Sequence, residues 1–296
     1  MRAALTIGVF DGAHRGHQAL MRAVVQNARA MGVIPAVVTF DPHPLTVIAP
    51  GKEPQLITTL PQRARIMARV GIEALVVMRF DDALRHLTPE EFVRDVLVGS
   101  LGCVHCVVGA NFRFGHQQAG TIETLSDLGA RYGFGVTIFA MQMAGEDEVV
   151  SSSMIRRQVM EGAVERVAQE LDRPFLVEGV VEHGAGRGRG LGIPTANLRI
   201  PERMILPKLG VYAGWLLWKD QRHACVMNVG VNPTFGDRTS PVLEAHVLDF
   251  DADLYGEVVE VEFVHRLRDE LKFDDVDALV AQIHDDIARG RALLGV

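Results

Sequence analysis

The sequence predicts an α/β domain followed by an all-β domain, and three observations support this fold class. The chain has 296 residues, a length that accommodates two domains with separate hydrophobic cores. In the first half, short apolar runs alternate with helical patterns, which is typical of a parallel sheet with helices on both faces. In the second half, apolar runs follow one another without intervening helices, which favours an antiparallel barrel. We expect the domains to span residues 1–172 and 173–296.

Five candidate strands and four candidate helices make up the first half. The strands are rich in valine, isoleucine or phenylalanine, and they are Ala3–Phe10, Val33–Phe40, Ala74–Phe80, Cys103–Val108 and Gly135–Met141. The helices carry helix-forming residues at helical spacing, and they are Gln18–Met31, Gln62–Val70, Pro89–Val98 and Glu123–Tyr132. Ligands of such sheets bind beyond the carboxyl ends of the strands, so the informative residues should lie in the loops that follow them.

The pattern changes near Leu171, and five or six strands then precede a closing helix. The clearest strands are Phe175–Glu182, Val211–Trp218, His223–Val231, Val242–Asp249 and Glu257–Val264. In the last of these, Val259, Val261 and Phe263 alternate with their neighbours at the period of two that marks a half-buried strand. The closing helix has an apolar stripe, and acidic residues suit its N-terminus: Asp274, Asp275 and Asp277.

Composition excludes several classes of protein. The 37 acidic and 30 basic residues give a net charge of −7, which argues against a nucleic-acid or membrane-surface binder. A hydrophobic fraction of 48% and a charged fraction of 23% are those of an ordinary soluble globular protein. No apolar run approaches the roughly 20 residues of a membrane helix. Three cysteines cannot form a disulfide framework, so we expect a cytoplasmic protein; the oligomeric state is left open.

The first motif is Gly8–His17, which reads GVFDGAHRGH and joins the first strand to the first helix. Gly12 and Gly16 have no side chains, so a ligand can approach the backbone closely there. A helix N-terminus is an anion site, and His14 and His17 could donate hydrogen bonds to phosphate oxygens. The spacing alone also permits a capped turn with two surface histidines, or a metal site.

The second motif is the glycine-rich segment His183–Asn197, which reads HGAGRGRGLGIPTAN. So many glycines cannot form regular structure cheaply, which favours a loop that lies against phosphates. The spacing fits neither a Walker loop nor a dinucleotide-binding fingerprint. A flexible linker and an RNA-binding tract around Arg187 and Arg189 are the alternatives.

Both motifs resemble those of the bacterial bifunctional riboflavin kinase/FMN adenylyltransferases, also called FAD synthetases. In the first half the resemblance rests on Gly8–His17, Thr39–Pro44, Val108–Gly115 and Ser151–Arg156, with Ser153 where the family usually has threonine. In the second half it rests on Gly188–Asn197, Pro207–Tyr212, Asn228–Phe235, Leu243–Phe250, Asp253–Gly256 and Leu267–Phe273. The family more often has arginine where Asn232 stands, and we assign that side chain no role.

The resemblance implies a fold and two activities. The fold would be a Rossmann-like nucleotidyltransferase domain followed by a β-barrel flavokinase domain with a terminal helix. The barrel would phosphorylate riboflavin with ATP to give FMN. The first domain would transfer an adenylyl group from ATP to FMN, giving FAD and pyrophosphate, with Mg²⁺. ATP, riboflavin and FMN would be the partners, with neither nucleic acid nor membrane.

The resemblance also implies roles for residues of the first half. His14 and His17 would contact the ATP phosphates and stabilise the leaving pyrophosphate. Asn111 would hold ATP or flavin phosphate groups, and Arg156 would neutralise the triphosphate. The remaining nucleotide-binding residues would be Gly8, Phe10, Asp11, Gly12, Gly16, Ser151, Ser152 and Ser153.

In the second half, the resemblance implies that Thr195 and Asn197 coordinate Mg²⁺ through oxygen atoms. Glu244 would take the proton from the riboflavin 5′-hydroxyl as general base. Strand alternation alone would make Glu244 an ordinary outward-facing glutamate. The remaining ligand-binding residues would be Gly188, Arg189, Gly192, Pro194 and Arg268, the last of which would help cover the flavin.

Two alternatives remain open from sequence. Either a single domain is active, or the first domain transfers its nucleotide to another phosphorylated acceptor. A protein of a different class would bind flavin for regulation without turnover, although such a binder has no need of Glu244.

Overall fold

A computed structural model describes residues 2–140, 150–184, 187–232 and 240–296. By internal contacts the chain forms two compact units. The first consists of Met1–Pro54 and Leu60–Ser151, and the second of Gln55–Thr59 and Ser152–Val296. Within the described ranges, no helix has both the length and the apolar character needed to cross a membrane.

The first unit is a five-stranded parallel sheet with the strand order β3-β2-β1-β4-β5. The strands are β1 (Ala3–Ile7), β2 (Ile34–Asp41), β3 (Ala74–Arg79), β4 (Cys103–Gly109) and β5 (Gly135–Phe139). The helices are α1 (Arg15–Met31), α2 (Pro44–Ile48), α3 (Leu60–Val70), α4 (Asp82–Arg85), α5 (Pro89–Glu91) and α6 (Ile122–Tyr132). The predicted parallel α/β sheet is confirmed.

The central strand β1 is buried along its whole length, because helices cover both faces of the sheet. Leu5 belongs to one apolar cluster with Leu97 and Leu125, while Val37 belongs to another with Met21. The chain leaves β1 toward β2 on one side, and β4 lies on the other side. The carboxyl end of β1 is therefore the point at which the strand order reverses, where sheets of this type bind their ligands.

One predicted helix, Pro89–Val98, has an unexpected form. Thr88 and Glu91 make a capping box that starts α5, but the chain continues as a π-helix over Phe92–Ser100. A π-turn brings residues five apart together, and a Cβ on Gly99 would lie only 3.0 Å from the carbonyl oxygen of Arg94. Glycine at this position accommodates the wider turn.

The second unit is a closed barrel of six strands in the order β10-β7-β6-β11-β8-β9, with antiparallel neighbours in every described pair. The strands are β6 (Phe175–Glu182), β7 (Ala196–Arg199), β8 (Gly210–Trp218), β9 (Gln221–Asn232), β10 (Ser240–Val247) and β11 (Val258–Arg268). The helices are α7 (Ser152–Glu161), α8 (Val164–Leu171), α9 (Arg187–Gly190) and α10 (Val276–Leu294). The predicted barrel with a terminal helix is confirmed, and β7 is a strand that the glycine-rich pattern concealed.

The barrel core follows the predicted alternation. Val259, Val261 and Phe263 of β11 are buried, and the Phe263 ring packs against Phe175 and Tyr212 at centroid distances of 5.9 and 5.3 Å. This inward row fixes which residues of each strand face the outside of the barrel.

A short segment from the first half of the sequence, Gln55–Thr59, belongs to the second unit. The backbone N–H of Leu56 donates to the Arg203 carbonyl oxygen at 2.7 Å, and Ile205 N–H donates to the Leu56 carbonyl oxygen at 2.9 Å. Ile57 is fully buried. No local sequence pattern indicates that this segment belongs to the second unit, because its hydrogen-bond partners lie about half the chain away.

Gly214 of β8 provides a test of barrel closure. A Cβ at this position would overlap the carbonyl oxygen of Glu262 on the neighbouring strand β11. Gly214→Ala should therefore lower the free energy of unfolding by about 1–3 kcal/mol, as overpacking does elsewhere. Urea unfolding followed by tryptophan fluorescence measures this directly, because the chain's two tryptophans, Trp215 and Trp218, both lie in β8.

The matched control is Gly190→Ala in the same unit, where an added Cβ has no neighbour within 4 Å. If the two variants unfold at the same urea concentration, the close approach of β8 and β11 is wrong.

Candidate active sites

The first candidate site is the turn between β1 and α1. Gly8 N–H donates to the Val38 carbonyl oxygen at 3.0 Å, and Ala13 N–H donates to the Phe10 carbonyl oxygen at 2.9 Å. Phe10, Gly12 and Ala13 have φ values of 52°, 81° and 39°, in the left-handed region. Two of these residues are not glycine, so the surrounding structure holds the turn in a costly conformation, which is a feature of functional sites.

His14 and His17 are brought together at the N-terminus of α1. His14 is the N-cap residue, and its Nδ1 accepts a hydrogen bond from the His17 backbone N–H at 3.4 Å. The two rings stack with a centroid distance of 3.6 Å, and the Phe10 ring packs edge-on against His17 at 5.1 Å. Because Nδ1 of His14 is an acceptor, its neutral ring carries the proton on Nε2 and can donate from there.

His17 is held in its neutral form. Burial, and in addition the neighbouring His14, place the pKa of His17 well below its ordinary value. Within the described part of the chain, His17 Nδ1 is buried without a hydrogen-bond partner. A buried ring nitrogen next to a helix N-terminus suits a polar ligand at this position.

Arg63 of α3 is a buried cation under this turn, and the sequence analysis missed it. Its Nη1 donates to the Val9 carbonyl oxygen at 2.7 Å, and Thr39 Oγ1 donates to the same oxygen at 3.1 Å. Burial lowers the pKa of the Arg63 guanidinium, while the charges of Asp11 and Asp41 oppose that shift. Its hydrogen-bond partners lie 54 and 24 residues away, so no local pattern marks it.

Asn111 comes from the same edge of the sheet. It follows the last residue of β4, Gly109, and it is exposed. The N–H of Phe112 donates back to the Gly109 carbonyl oxygen at 3.0 Å, which turns the chain at this point. Because β4 is parallel to β1 and adjacent to it, Asn111 and the Gly8–His17 motif leave the sheet at the same edge.

The predicted serine-rich motif spans the boundary between the two units. Ser151 ends the first unit, while Ser152 and Ser153 open α7 in the second. Arg156, also in α7, donates from Nε to the Gln55 carbonyl oxygen at 2.7 Å. Its action on a triphosphate remains a prediction.

The second candidate site is a row of polar residues across three barrel strands. Glu244 of β10 is the direct partner of Asn197 in β7 and of Asn228 in β9. Direct partners in an antiparallel pair project to the same face, with Cβ atoms about 4.5–5.5 Å apart. Leu243 and Ala245 are fully buried in the core, so Glu244 lies on the outer face. The register thus brings two of the predicted residues together, and it adds Asn228, which the sequence analysis left without a role.

The glycine-rich motif forms a tight turn within residues 188–193. The Gly188 carbonyl oxygen accepts from the N–H groups of Leu191 and Ile193 at 3.1 and 2.9 Å. A Cβ on Gly188 would overlap the Ile193 carbonyl oxygen, and Gly192 has a φ of 74°. Glycine is therefore needed for the shape of the turn, which argues against a flexible linker over this stretch. Residues 185–186, the side chain of Arg189 and residues 233–239 of another family motif lie outside the described residues.

Thr195 and Asn197 follow this turn. Both are half-buried, and Asn197 lies so close to Gly184 that a Cβ there would overlap its amide group. The carbonyl oxygen of Pro194 lies 2.7 Å from His246 Nδ1. The segment that carries the predicted Mg²⁺ ligands is thus packed against β10.

Arg268 makes an ion pair with Asp286 of α10. Its Nη2 lies 2.7 Å from Asp286 Oδ2, and the Asp286 side chain is only 5% exposed. Removing one partner of so buried a pair is usually strongly destabilising. The arginine therefore ties β11 to α10, and its predicted contact with flavin remains a prediction.

Two family models match the chain. The model described as FAD synthetase matches residues 1–154, and the model described as riboflavin kinase matches residues 171–294. The first segment contains the motif at the end of β1, and the second contains the Glu244 row. The two candidate sites therefore fall in different families of domain.

Individual proteins are similar over nearly the whole chain. The bifunctional riboflavin kinase/FMN adenylyltransferase of Listeria monocytogenes is 38% identical, covering 97% of this chain and 91% of that protein. The protein of the same description from Escherichia coli K12 is 35% identical, covering 99% of this chain and 93% of that protein. A Streptococcus pneumoniae crystal structure described as a macrolide-efflux protein has a TM-score of 0.87 at 32% identity, covering 98% of this chain and 94% of that one.

The depressed pKa of His17 predicts a pH-dependent stability. The unfolded chain binds a proton at this residue near pH 6.5, whereas the folded chain does so only at lower pH. The unfolded state therefore holds more protons below about pH 6.5, so the free energy of unfolding should fall as the pH is lowered through that value. The contribution of one such group is at most about 1.4 kcal/mol per pH unit.

An NMR titration of the histidine ring protons measures this pKa, and urea unfolding followed by circular dichroism between pH 7.5 and 5 measures its effect. His17→Asn should flatten the pH dependence, and His86→Asn, at an exposed histidine of the same unit, should leave it unchanged. A His17 midpoint at or above 6.5 would contradict the buried neutral ring.

Proposed function

The chain belongs to the family of bifunctional riboflavin kinase/FMN adenylyltransferases, and on that premise we propose which of its residues carry each of the two reactions. It makes FMN from riboflavin and FAD from FMN, with the FAD synthetase segment preceding the riboflavin kinase segment. We assign adenylyl transfer to residues 1–172 and riboflavin phosphorylation to residues 173–296.

The kinase proposal rests on one observation, the register that makes Glu244 the direct partner of Asn197. The riboflavin 5′-hydroxyl is a weak nucleophile, so a base must take its proton as the oxygen attacks the γ-phosphorus of ATP. Glu244 is the carboxylate of the polar row on the outer face of the barrel. It removes that proton while ADP leaves.

Thr195 and Asn197 provide the oxygen donors of the proposed Mg²⁺ site. A hydroxyl and an amide oxygen are hard ligands, and Mg²⁺ typically completes its shell with waters and substrate phosphates. When bound, the ion neutralises charge that develops on the phosphates. The ordered turn before Thr195 and the close packing of Gly184 against Asn197 keep both donors near Glu244.

In the first domain, the FMN phosphate attacks the α-phosphorus of ATP and pyrophosphate leaves. His14 and neutral His17 donate hydrogen bonds to the phosphates, and the N-terminus of α1 adds backbone N–H groups. Asn111 holds phosphate groups from the neighbouring strand end, and Arg156 neutralises the triphosphate. The remaining contacts to nucleotide come from Gly8, Phe10, Asp11, Gly12, Gly16 and the serines of the 151–153 motif.

ATP, riboflavin and FMN are the proposed partners, without nucleic acid or membrane, and the proposed compartment is the cytoplasm. The net charge of −7 supports the proposal that nucleic acid is not a partner, because polyanion binders usually carry a basic face. Three free, buried cysteines support the proposed cytoplasmic compartment, because reducing compartments keep thiols unpaired.

Glu244→Gln tests the kinase assignment. The variant keeps the size of the side chain but cannot accept the proton, so FMN formation should fall by about 10²–10⁴-fold. FAD formation from supplied FMN should remain. Chromatography of reactions with riboflavin, ATP and Mg²⁺ separates the two products, and the unmodified protein should show FMN before FAD.

Glu262→Gln, at another glutamate on a barrel strand, is the matched control and should keep both activities. If Glu244→Gln removes both activities from a folded protein, the division of labour is wrong. Tight flavin binding without any product in the unmodified protein would favour a non-catalytic role.

His17→Leu, which removes both ring nitrogens, tests the adenylyltransferase assignment. Loss of a positioned donor to the phosphates should lower FAD formation from FMN by about 10²–10³-fold. FMN formation from riboflavin should be unchanged, because the kinase residues lie in the other unit. The same chromatographic assay measures both rates, and His86→Leu, at an exposed histidine of the same unit, is the control. A variant that loses FMN formation but keeps FAD formation would reverse the assignment.

A further inference from the structure

His246 lies two residues beyond Glu244 in β10, on the same face of the strand. Ala245 and Val247, on either side of it, are buried, so both His246 and Glu244 project to the outer face of the barrel. The Nδ1 atom of His246 lies 2.7 Å from the carbonyl oxygen of Pro194. A carbonyl oxygen can only accept a hydrogen bond, so His246 Nδ1 carries the proton and is the donor.

The backbone pairing between β10 and β7 stops one residue before His246. It includes Glu244 with Asn197 and ends with Ala245 and Ala196. One step further in the same register, His246 is opposite Thr195. The His246 side chain thus continues the connection between the strands at the point where the described backbone ladder ends.

Pro194 makes this side-chain bond more important. Proline has no backbone N–H, so its carbonyl oxygen is the one backbone group at this position that can form a hydrogen bond. Ile193, the preceding residue, is buried and bonded to Gly188. The bond from His246 therefore fixes the last peptide group before Thr195.

We propose that His246 is a positioning residue of the kinase site: through its bond to Pro194 it orients Thr195 and Asn197 beside Glu244. This inference rests on the proposed kinase function. His246 touches neither the reacting hydroxyl nor the transferred phosphoryl group in this scheme. It acts on the segment that holds the proposed Mg²⁺ ligands.

Two substitutions separate the hydrogen bond from the bulk of the side chain. His246→Leu keeps volume but removes the donor. His246→Asn places an amide N–H where Nδ1 stands, since both atoms are bonded to Cγ, and so retains the donor. His223→Leu, at another half-buried histidine of the barrel, is the matched control.

Initial rates of FMN formation are measured against Mg²⁺, ATP and riboflavin concentrations for all four proteins. His246→Leu should raise the Mg²⁺ concentration for half-maximal rate, or lower kcat/KM for ATP, by about 10- to 100-fold, as loss of a group behind a metal ligand typically does. The KM for riboflavin should change much less. His246→Asn should recover most of the loss, and His223→Leu should resemble the unmodified protein.

FAD formation from supplied FMN and urea unfolding by tryptophan fluorescence accompany each variant. If His246→Leu does not fold, His246→Gln replaces it, because its donor lies one bond further from the backbone and should miss Pro194. Unchanged Mg²⁺ and ATP dependence in the variant that lacks the bond would overturn the inference. Equal losses in the Asn and Leu variants would overturn it as well.

Failure of the proposed kinase function would show differently. In that case the unmodified protein would form no FMN, or Glu244→Gln would form it at the normal rate.

Discussion

The register of β10 is the constraint on which the barrel site depends. Side chains of a strand alternate between faces, so a shift of one residue would put Glu244 into the core and Leu243 on the surface. The complete burial of Leu243 and Ala245 makes that shift costly. The same register places Glu244 between Asn197 and Asn228 and leaves His246 facing the segment before Thr195. The packing of apolar residues that take no part in the chemistry therefore fixes the geometry of those proposed to take part.

In the first unit the corresponding constraint is the fully buried strand β1. This burial holds the strand in place, and the turn that follows adopts left-handed backbone conformations at Phe10 and Ala13. Arg63 and Thr39 stabilise the turn by donating to the same Val9 carbonyl oxygen. Strain of this kind persists only where several interactions hold it, and here they hold the histidines at the start of α1. Both sites thus stand at the ends or on the faces of rigid elements, which keeps their side chains in place.

The features that can be predicted from the sequence are those with a local signal. The strands β1 to β5 and β11 have apolar patterns of their own, and the Gly8–His17 motif reports its turn directly. Arg63, by contrast, is an ordinary helix arginine until β1 and β2 are placed beside it. The strand β7 was hidden within a glycine-rich motif, and the excursion of Gln55–Thr59 into the second unit depends on partners about half the chain away. Only the register shows that Asn228 and His246 lie beside the proposed kinase residues, because nothing in their immediate neighbours distinguishes them from other strand residues.

The different chemistry of the two sites follows from their nucleophiles. The phosphate of FMN is already ionised at neutral pH, since the second pKa of a phosphate monoester is about 6, so its attack on ATP requires no base. The first site presents a helix N-terminus and a neutral His17, whose pKa is held low by burial. A hydroxyl must instead lose its proton during attack, so the kinase site requires a base, and Glu244 is the residue proposed for that role. In the proposed assignment, the burial of His17 and the strand position of Glu244 therefore match each site to the protonation state of its own nucleophile.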